Sequence, residues 1–318
     1  MKASRIALLA SALTLSASLA LAESPVVGGI VFQQDMYFRG VQLGLEEGAK
    51  AGKVTLLQGN SESKPEKEAN FVNTFVTRGA KAIVVAPISA KASVKALKDA
   101  HDKGVKVVLY GTRLDADFPV AFIGTSDRDI GLGTGKVAAK YVKDQLGNHV
   151  KIALLGFRAL LAEQSDGRTN GFLEAAKAGG AKLDVVAQQD AWLAEKALAV
   201  ASDILTSHPE VQAIYAANEG GTVGAVQAVR RAGKQGKVVV FGTDGSQQLA
   251  QFLLDPDGVL IATTAQQSTQ IGQTAMQTAL DSIAGKPVQK QVDVPVLPLS
   301  RFDAKAVQAY QQELKKLQ

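Results

Sequence analysis

The 318-residue chain contains no cysteine. That one absence excludes disulfides, thiolate metal centres, a cysteine nucleophile and a lipid-modified cysteine anchor. Histidine is scarce: His101, His149 and His208 lie far apart in sequence, and neither an H-E-x-x-H pair nor a carboxylate cluster offers a metal site. His208, before Pro209, reads as a helix-end residue, where a cation suits the dipole. There is no G-x-S-x-G elbow for a serine nucleophile. The glycine-rich run 131–136 is not a phosphate loop, since Ile130 stands where the first glycine belongs and Val137 follows Lys136. It reads as close helix packing, with Ser126 or Asp127 capping the helix start. No cofactor is expected. The net charge of +5 is mild, two of its cations (Lys2 and Arg5) fall in the first 22 residues, and no Lys/Arg cluster follows, which argues against nucleic acid as a partner. No apolar run after residue 22 reaches membrane-spanning length.

Those first 22 residues have a layout of their own. Lys2 and Arg5 precede an apolar stretch of Ala, Leu, Ile, Ser and Thr that closes on Ala20, Leu21 and Ala22. A cationic start, a short apolar middle and small residues at the cleavage positions predict a removable secretory signal over 1–22. The remainder is then expected to work outside the cytoplasm, free of any anchor, in an enclosed compartment such as a periplasm.

The rest of the chain alternates short β-rich runs with amphipathic stretches. Strands are predicted at 26–32, 54–57, 82–86, 107–110, 122–124, 151–155, 183–187, 213–217, 238–242 and 261–264. Helices are predicted at 37–51, 65–78, 92–103, 129–146, 163–178, 191–208, 220–232, 247–255, 267–284 and 303–317. Pro65 suits a first helical turn, and Asp190 is placed to cap the helix that Trp192 opens. Strands alternating with helices predict α/β architecture, and the number of units exceeds one ordinary sheet. The expectation is two doubly wound parallel-sheet lobes joined by several crossing strands.

Open α/β sheets bind ligands beyond the carboxyl ends of their strands. Those ends carry Gln33 to Phe38, Gly111 to Arg113, Glu163 to Arg168, Asp190 to Trp192, Asn218 and Glu219, Thr243 to Gly245, and Ala265 to Gln267. Planar amides, carboxylates and a guanidinium suit sugar hydroxyls, and aromatic rings suit the apolar C–H faces of a sugar. Trp192 is the single tryptophan.

Several local marks occur together: Tyr37 and Phe38, Val76 to Gly79, His208 to Val211, Ala217 to Glu219, Gly242 to Gly245, and Ala265 and Gln266 ahead of Gln270 to Gly272. In this order and spacing the chain resembles periplasmic sugar-binding proteins of the ribose-binding type, which feed ABC transporters. That resemblance covers nearly the whole sequence after the signal. It implies a periplasmic binding protein type I fold that closes about a hinge, with an inner-membrane ABC permease as partner and a monomeric state. It places stacking aromatics at Tyr37, Phe38 and Trp192, and hydroxyl-binding groups at Asn218, Asp244 and Gln266. Three positions depart from the family pattern. An Asp-Arg pair is represented by Thr112 and Arg113, an arginine by Asp166, and a first-loop amide by Asp35. With Asp244 these make three carboxylates against one cation, Arg113, with Arg39 or Arg168 as further neutralisers. A sugar other than ribose, a polyol or an amino sugar is therefore the expected cargo.

The hinge is expected near 124–126, 266–267 and 293–295. The lobes are then 24–124 with 267–293, and 125–266 with 294–318. Rival readings are a sugar-responsive regulator, which the absent DNA-binding helices oppose, and an exported glycosidase. The latter would use Asp35 with Asp166 or Asp244, but binding explains the same carboxylates without a bond to break. The chain is expected not to be an enzyme. A chemotaxis or two-component input module, with a chemoreceptor as second partner, is the alternative the sequence leaves open.

Overall fold

The computed structural model describes residues 24–33 and 36–317, so the expected signal over 1–22 and the candidate Asp35 lie outside the described residues. The chain opens with β1 (Val26–Val31), α1 (Met36–Gly52), β2 (Thr55–Asn60), α2 (Pro65–Thr77), β3 (Ala80–Val85), α3 (Val94–Asp102), β4 (Lys106–Tyr110) and β5 (Ala121–Gly124). Next come α4 (Asp127–Gln145), β6 (His149–Gly156), α5 (Arg158–Ala178), β7 (Lys182–Asp190), α6 (Ala194–Ser207), β8 (Ala213–Ala216) and α7 (Glu219–Arg231). Then follow β9 (Val239–Phe241), α8 (Gln247–Leu254), β10 (Leu260–Ala265), α9 (Ser268–Ile283), β11 (Gln291–Asp293), β12 (Leu297–Ser300) and α10 (Ala304–Lys315). Among the described residues no helix is long and apolar enough to cross a membrane.

The strands form two six-stranded sheets, ordered β11-β5-β4-β3-β1-β2 and β12-β10-β9-β8-β6-β7. All pairings are parallel except β10 with β12. Each sheet buries apolar side chains on both faces. In the first, α1 and α9 cover one face through Val41, Leu45, Ile271 and Met276, and α2 and α3 cover the other through Val72, Phe75 and Leu97. In the second, α4 and α5 cover one face through Val142 and Phe172, and Val226, Leu249 and Val307 of α7, α8 and α10 cover the other. Burial on both faces is why the central strands read as continuous apolar runs. This is the two-lobed α/β fold expected from the sequence.

Helices lie close where glycine removes the side chain. A Cβ on Gly131 of α4 would stand 2.0 Å from the Arg168 carbonyl of α5, and one on Gly44 of α1 would stand 2.0 Å from the Thr269 carbonyl of α9. The glycine run 131–136 thus packs helices, and Ser126 caps α4 by accepting from Asp129 N.

Three segments pass between the sheets: β5 to α4, β10 to α9, and β11 to β12. β11 runs parallel to β5, and β12 antiparallel to β10, so all three leave or enter at the carboxyl edges. Val294 N donates to Gly124 O at 2.7 Å and Gln267 Nε2 to Pro295 O at 2.9 Å, stitching the crossings together. The two carboxyl edges are therefore held toward one another at the junction.

Three local features differ from the sequence expectation. β11 and β12 span three and four residues, too short for a period to register beside Pro295 and Pro298. α5 begins earlier, at Arg158, and breaks at Leu161 (φ −143°, ψ 86°). α6 begins at Ala194, so Trp192 precedes the helix. Asp190 caps the early turn of α5 instead, accepting from Arg158 N at 3.0 Å and Ala159 N at 2.6 Å.

Candidate functional site

Winding reverses between β1 and β3 in the first sheet and between β6 and β8 in the second, because β2 and β7 lie outside β1 and β6. Ligand crevices in such sheets open where the winding reverses, at the carboxyl edge. The loops leaving these strands hold most of the residues expected from the sequence.

In the second lobe the centre is an ion cluster. Arg168 of α5, with only 9% of its side chain exposed, donates Nε to Asp127 Oδ1 at 2.8 Å and Nη1 to Asp244 Oδ2 at 3.2 Å. Nη1 also reaches the Ala217 carbonyl at 3.1 Å, beyond the end of β8. Asp244, after β9, accepts from Glu219 N at 3.0 Å and from Gln266 Nε2 at 3.4 Å. Its backbone is left-handed (φ 68°), which aspartate tolerates better than most residues. Burial pulls the Arg168 pKa down, and Asp244 and Asp127 more than offset it, so the guanidinium stays charged. Burial raises the Asp127 carboxyl above its ordinary value against the pull of Arg168. One cation between two carboxylates leaves the edge net negative, and the Asp244 side chain keeps 22% of its surface open. Such an edge accepts hydrogen bonds from hydroxyl donors.

Asn218 caps α7, its Oδ1 accepting from Gly221 N at 3.1 Å, and its Nδ2 donates to the Trp192 carbonyl at 2.9 Å. Both arms of the amide are thus engaged within the protein, and one of them fixes the Trp192 backbone. Trp192 is half-buried against the apolar cluster containing Phe157 and Tyr215.

In the first lobe Tyr37 and Phe38 meet edge to face, ring centres 5.1 Å apart, and Phe32 lies 5.6 Å from Phe38. All three are half-buried at the edge beyond β1. The buried Tyr110 hydroxyl donates to Ile30 O at 3.0 Å, and Ser61 Oγ to Val31 O at 3.2 Å, fixing the strand end that leads to them.

The structure thus brings Asp244, Gln266, Asn218 and Trp192 to one edge, and Tyr37 and Phe38 to the other. Thr112 is half-buried just beyond β4, its N–H turned back to Tyr110 O at 2.7 Å. Arg113 is turned to the sheet flank, bonded to Gln291 of β11 with its guanidinium 3.9 Å from the Phe122 ring centre. Asp166 pairs with Arg158 at 2.9 Å. The charge pattern therefore differs from the sequence expectation. Arg168, one of the two further neutralisers expected from the sequence, is the cation of the cluster in place of Arg113, Asp166 has its own partner outside it, and Arg39 donates to the Leu317 carbonyl at 3.2 Å. From the sequence alone, Asp127 is expected only to cap α4. The available signal was Arg168 on the same helical stripe as the buried Ser165, Phe172 and Ala175.

A family model described as periplasmic binding protein domain matches residues 29–287. The chain is 33% identical over 265 residues to a D-ribose/D-allose-binding protein of Pseudomonas aeruginosa, covering 79% of this chain and 81% of that protein. It is 31% identical over 299 residues to the ribose import binding protein RbsB of Escherichia coli (strain K12), covering 92% of this chain and 97% of that protein. Among solved structures, a periplasmic solute binding protein of an ABC transporter from Actinobacillus succinogenes with bound D-allose superposes with a TM-score of 0.75 at 25% identity, over 89% of this chain and 99% of that one. With the family model matching residues 29–287 and relatives of 31–33% identity covering most of both chains, the chain belongs to the periplasmic binding protein family.

Proposed function

We propose that this protein is the capture component of an ABC importer, taking a monosaccharide or related polyol between its lobes and presenting it to an inner-membrane permease. The observation that carries the reading is the Asp244 edge, where a partly open carboxylate is held by Arg168, Glu219 N and Gln266 beside Trp192. Relatives named for ribose and allose support a sugar as cargo. In this reading Tyr37, Phe38 and Trp192 stack on the sugar, while Asp244 and Gln266 take its hydroxyls. Asn218 acts through Trp192, and Thr112, just beyond β4, lies at the rim. Residues 24–124 with 267–293, and 125–266 with 294–318, move as two bodies about the crossings. The protein acts as a monomer, makes and breaks no bond of its ligand, and works in the periplasm after removal of residues 1–22. Protein from a periplasmic extract then begins at Glu23, and intact Met1 there would contradict the export reading.

The test is a melting series with ribose, allose, arabinose, myo-inositol and an amino sugar. A ligand held only by the native state adds about 2.7 kcal/mol at roughly a hundred times Kd. At least one compound should raise the melting temperature. No rise with any of them would overturn the reading.

A further inference from the structure

Glu68 lies in α2 on the stripe that carries the core residues Val72 and Phe75, a position where the helical pattern calls for an apolar side chain. It is 2% exposed. Burying a carboxylate is costly unless its oxygens are bonded. Here Oε2 accepts from Ile88 N at 2.8 Å, and the carboxylate also bonds the Ser93 hydroxyl. Ile88 and Ser93 belong to the loop that leaves β3, one of the two strands between which the winding of the first sheet reverses. Ser93 stands just ahead of α3, whose amino end favours a negative charge. The same loop bonds its neighbour: Ala90 O accepts from Asp115 N at 2.9 Å, in the segment between β4 and β5 that carries Thr112 and Arg113. A leucine would fill the core equally well. What the carboxylate adds is an acceptor for two donors of one loop at the carboxyl edge.

We infer that Glu68 is a positioning residue for the first lobe's half of the binding edge, fixing the loop after β3 and, through Ala90 and Asp115, the loop after β4. The inference rests on the function proposed above. It is tested on the chain lacking residues 1–22 with Glu68→Gln, which keeps length and an acceptor, Glu68→Leu, which keeps volume only, and Glu68→Asp, which shortens the arm. Amide exchange at Ile88 and Asp115 is read by NMR, and affinity for D-ribose and D-allose by calorimetry at a temperature where each variant is folded. Glu68→Leu and Glu68→Asp should speed exchange at both amides and weaken sugar binding, each about tenfold, while Glu68→Gln stays within about twofold of the parent. If Glu68→Leu fails to fold, Glu68→Asp gives the same reading. Faster exchange at Ile88 with Asp115 and the affinities unmoved would overturn the inference, as would a Gln variant as damaged as the Leu variant. A parent chain that binds neither sugar counts against the functional reading for these two ligands, and the exchange of the two amides still decides the role of Glu68.

Discussion

Arg168 stands between two carboxylates, and its two neighbours contribute unequally. Removing the guanidinium leaves Asp127 and Asp244 facing each other without a cation, whereas removing the Asp127 charge leaves a balanced pair. Breaking a buried ion group from the single-cation side costs about 3–5 kcal/mol. Arg168→Leu should therefore lower stability in urea by about that much, and a loss below about 1 kcal/mol would contradict the cluster's role. Asp127→Asn keeps an acceptor for Arg168 Nε and should cost far less. It also removes a group with a raised carboxyl pKa. In the window from about pH 4 up to that raised value, Asp127 holds more proton in the native state than in the unfolded chain, so its contribution to stability falls as pH rises through it. Glu68 is raised in the same direction by burial, against the pull of Ser93 and Ile88. Asp127→Asn and Glu68→Gln should each make stability fall less as pH rises through the window, as read by urea midpoints across it. A slope unchanged in both variants would remove these carboxyls from the account.

At the scale of elements, α4 and α5 meet through Gly131, Gly135 and Gly171, and Arg168 lies in that contact. Gly131→Ala puts a methyl against the Arg168 carbonyl and must push the helices apart. Overpacking of this kind costs about 1–3 kcal/mol, and here it should also displace the guanidinium from Asp244. A lower melting temperature together with weaker sugar binding is expected, and a melting temperature within about 1 °C of the parent would contradict the packing argument. The alternation of strands and helices was legible because both-face burial makes each strand an apolar run, and β1, β4 and α2 fall within a residue or two of the pattern. β11 and β12 were not, since three or four residues carry no period. The break at Leu161 was hidden too, because the Asp190 cap that holds the preceding turn comes from another strand end, 31 and 32 residues on. The ion cluster had the same obstacle: Arg168 meets partners 41 and 76 residues away, contacts that a single sequence does not display. What could be read was the set of polar strand ends. Which cation serves which carboxylate could not.

For the whole molecule, the decisive arrangement is that all three crossings join carboxyl edge to carboxyl edge. Two sheets that are otherwise separate bodies thereby present their loops to a shared space, and the hydrogen bonds from Val294 and Gln267 keep the crossings moving together. Under the proposed function, a sugar entering that space meets aromatic rings from one lobe and the negative Asp244 edge from the other, so both lobes gain contacts only when they approach. The measurement that tests this most directly is a calorimetric titration of the chain lacking residues 1–22 with the sugar that most raises its melting temperature, repeated on Asp244→Asn. The parent is expected to show one binding site per chain, and the variant at least about tenfold weaker binding with its circular dichroism unchanged. Equal affinity in parent and variant would contradict that expectation.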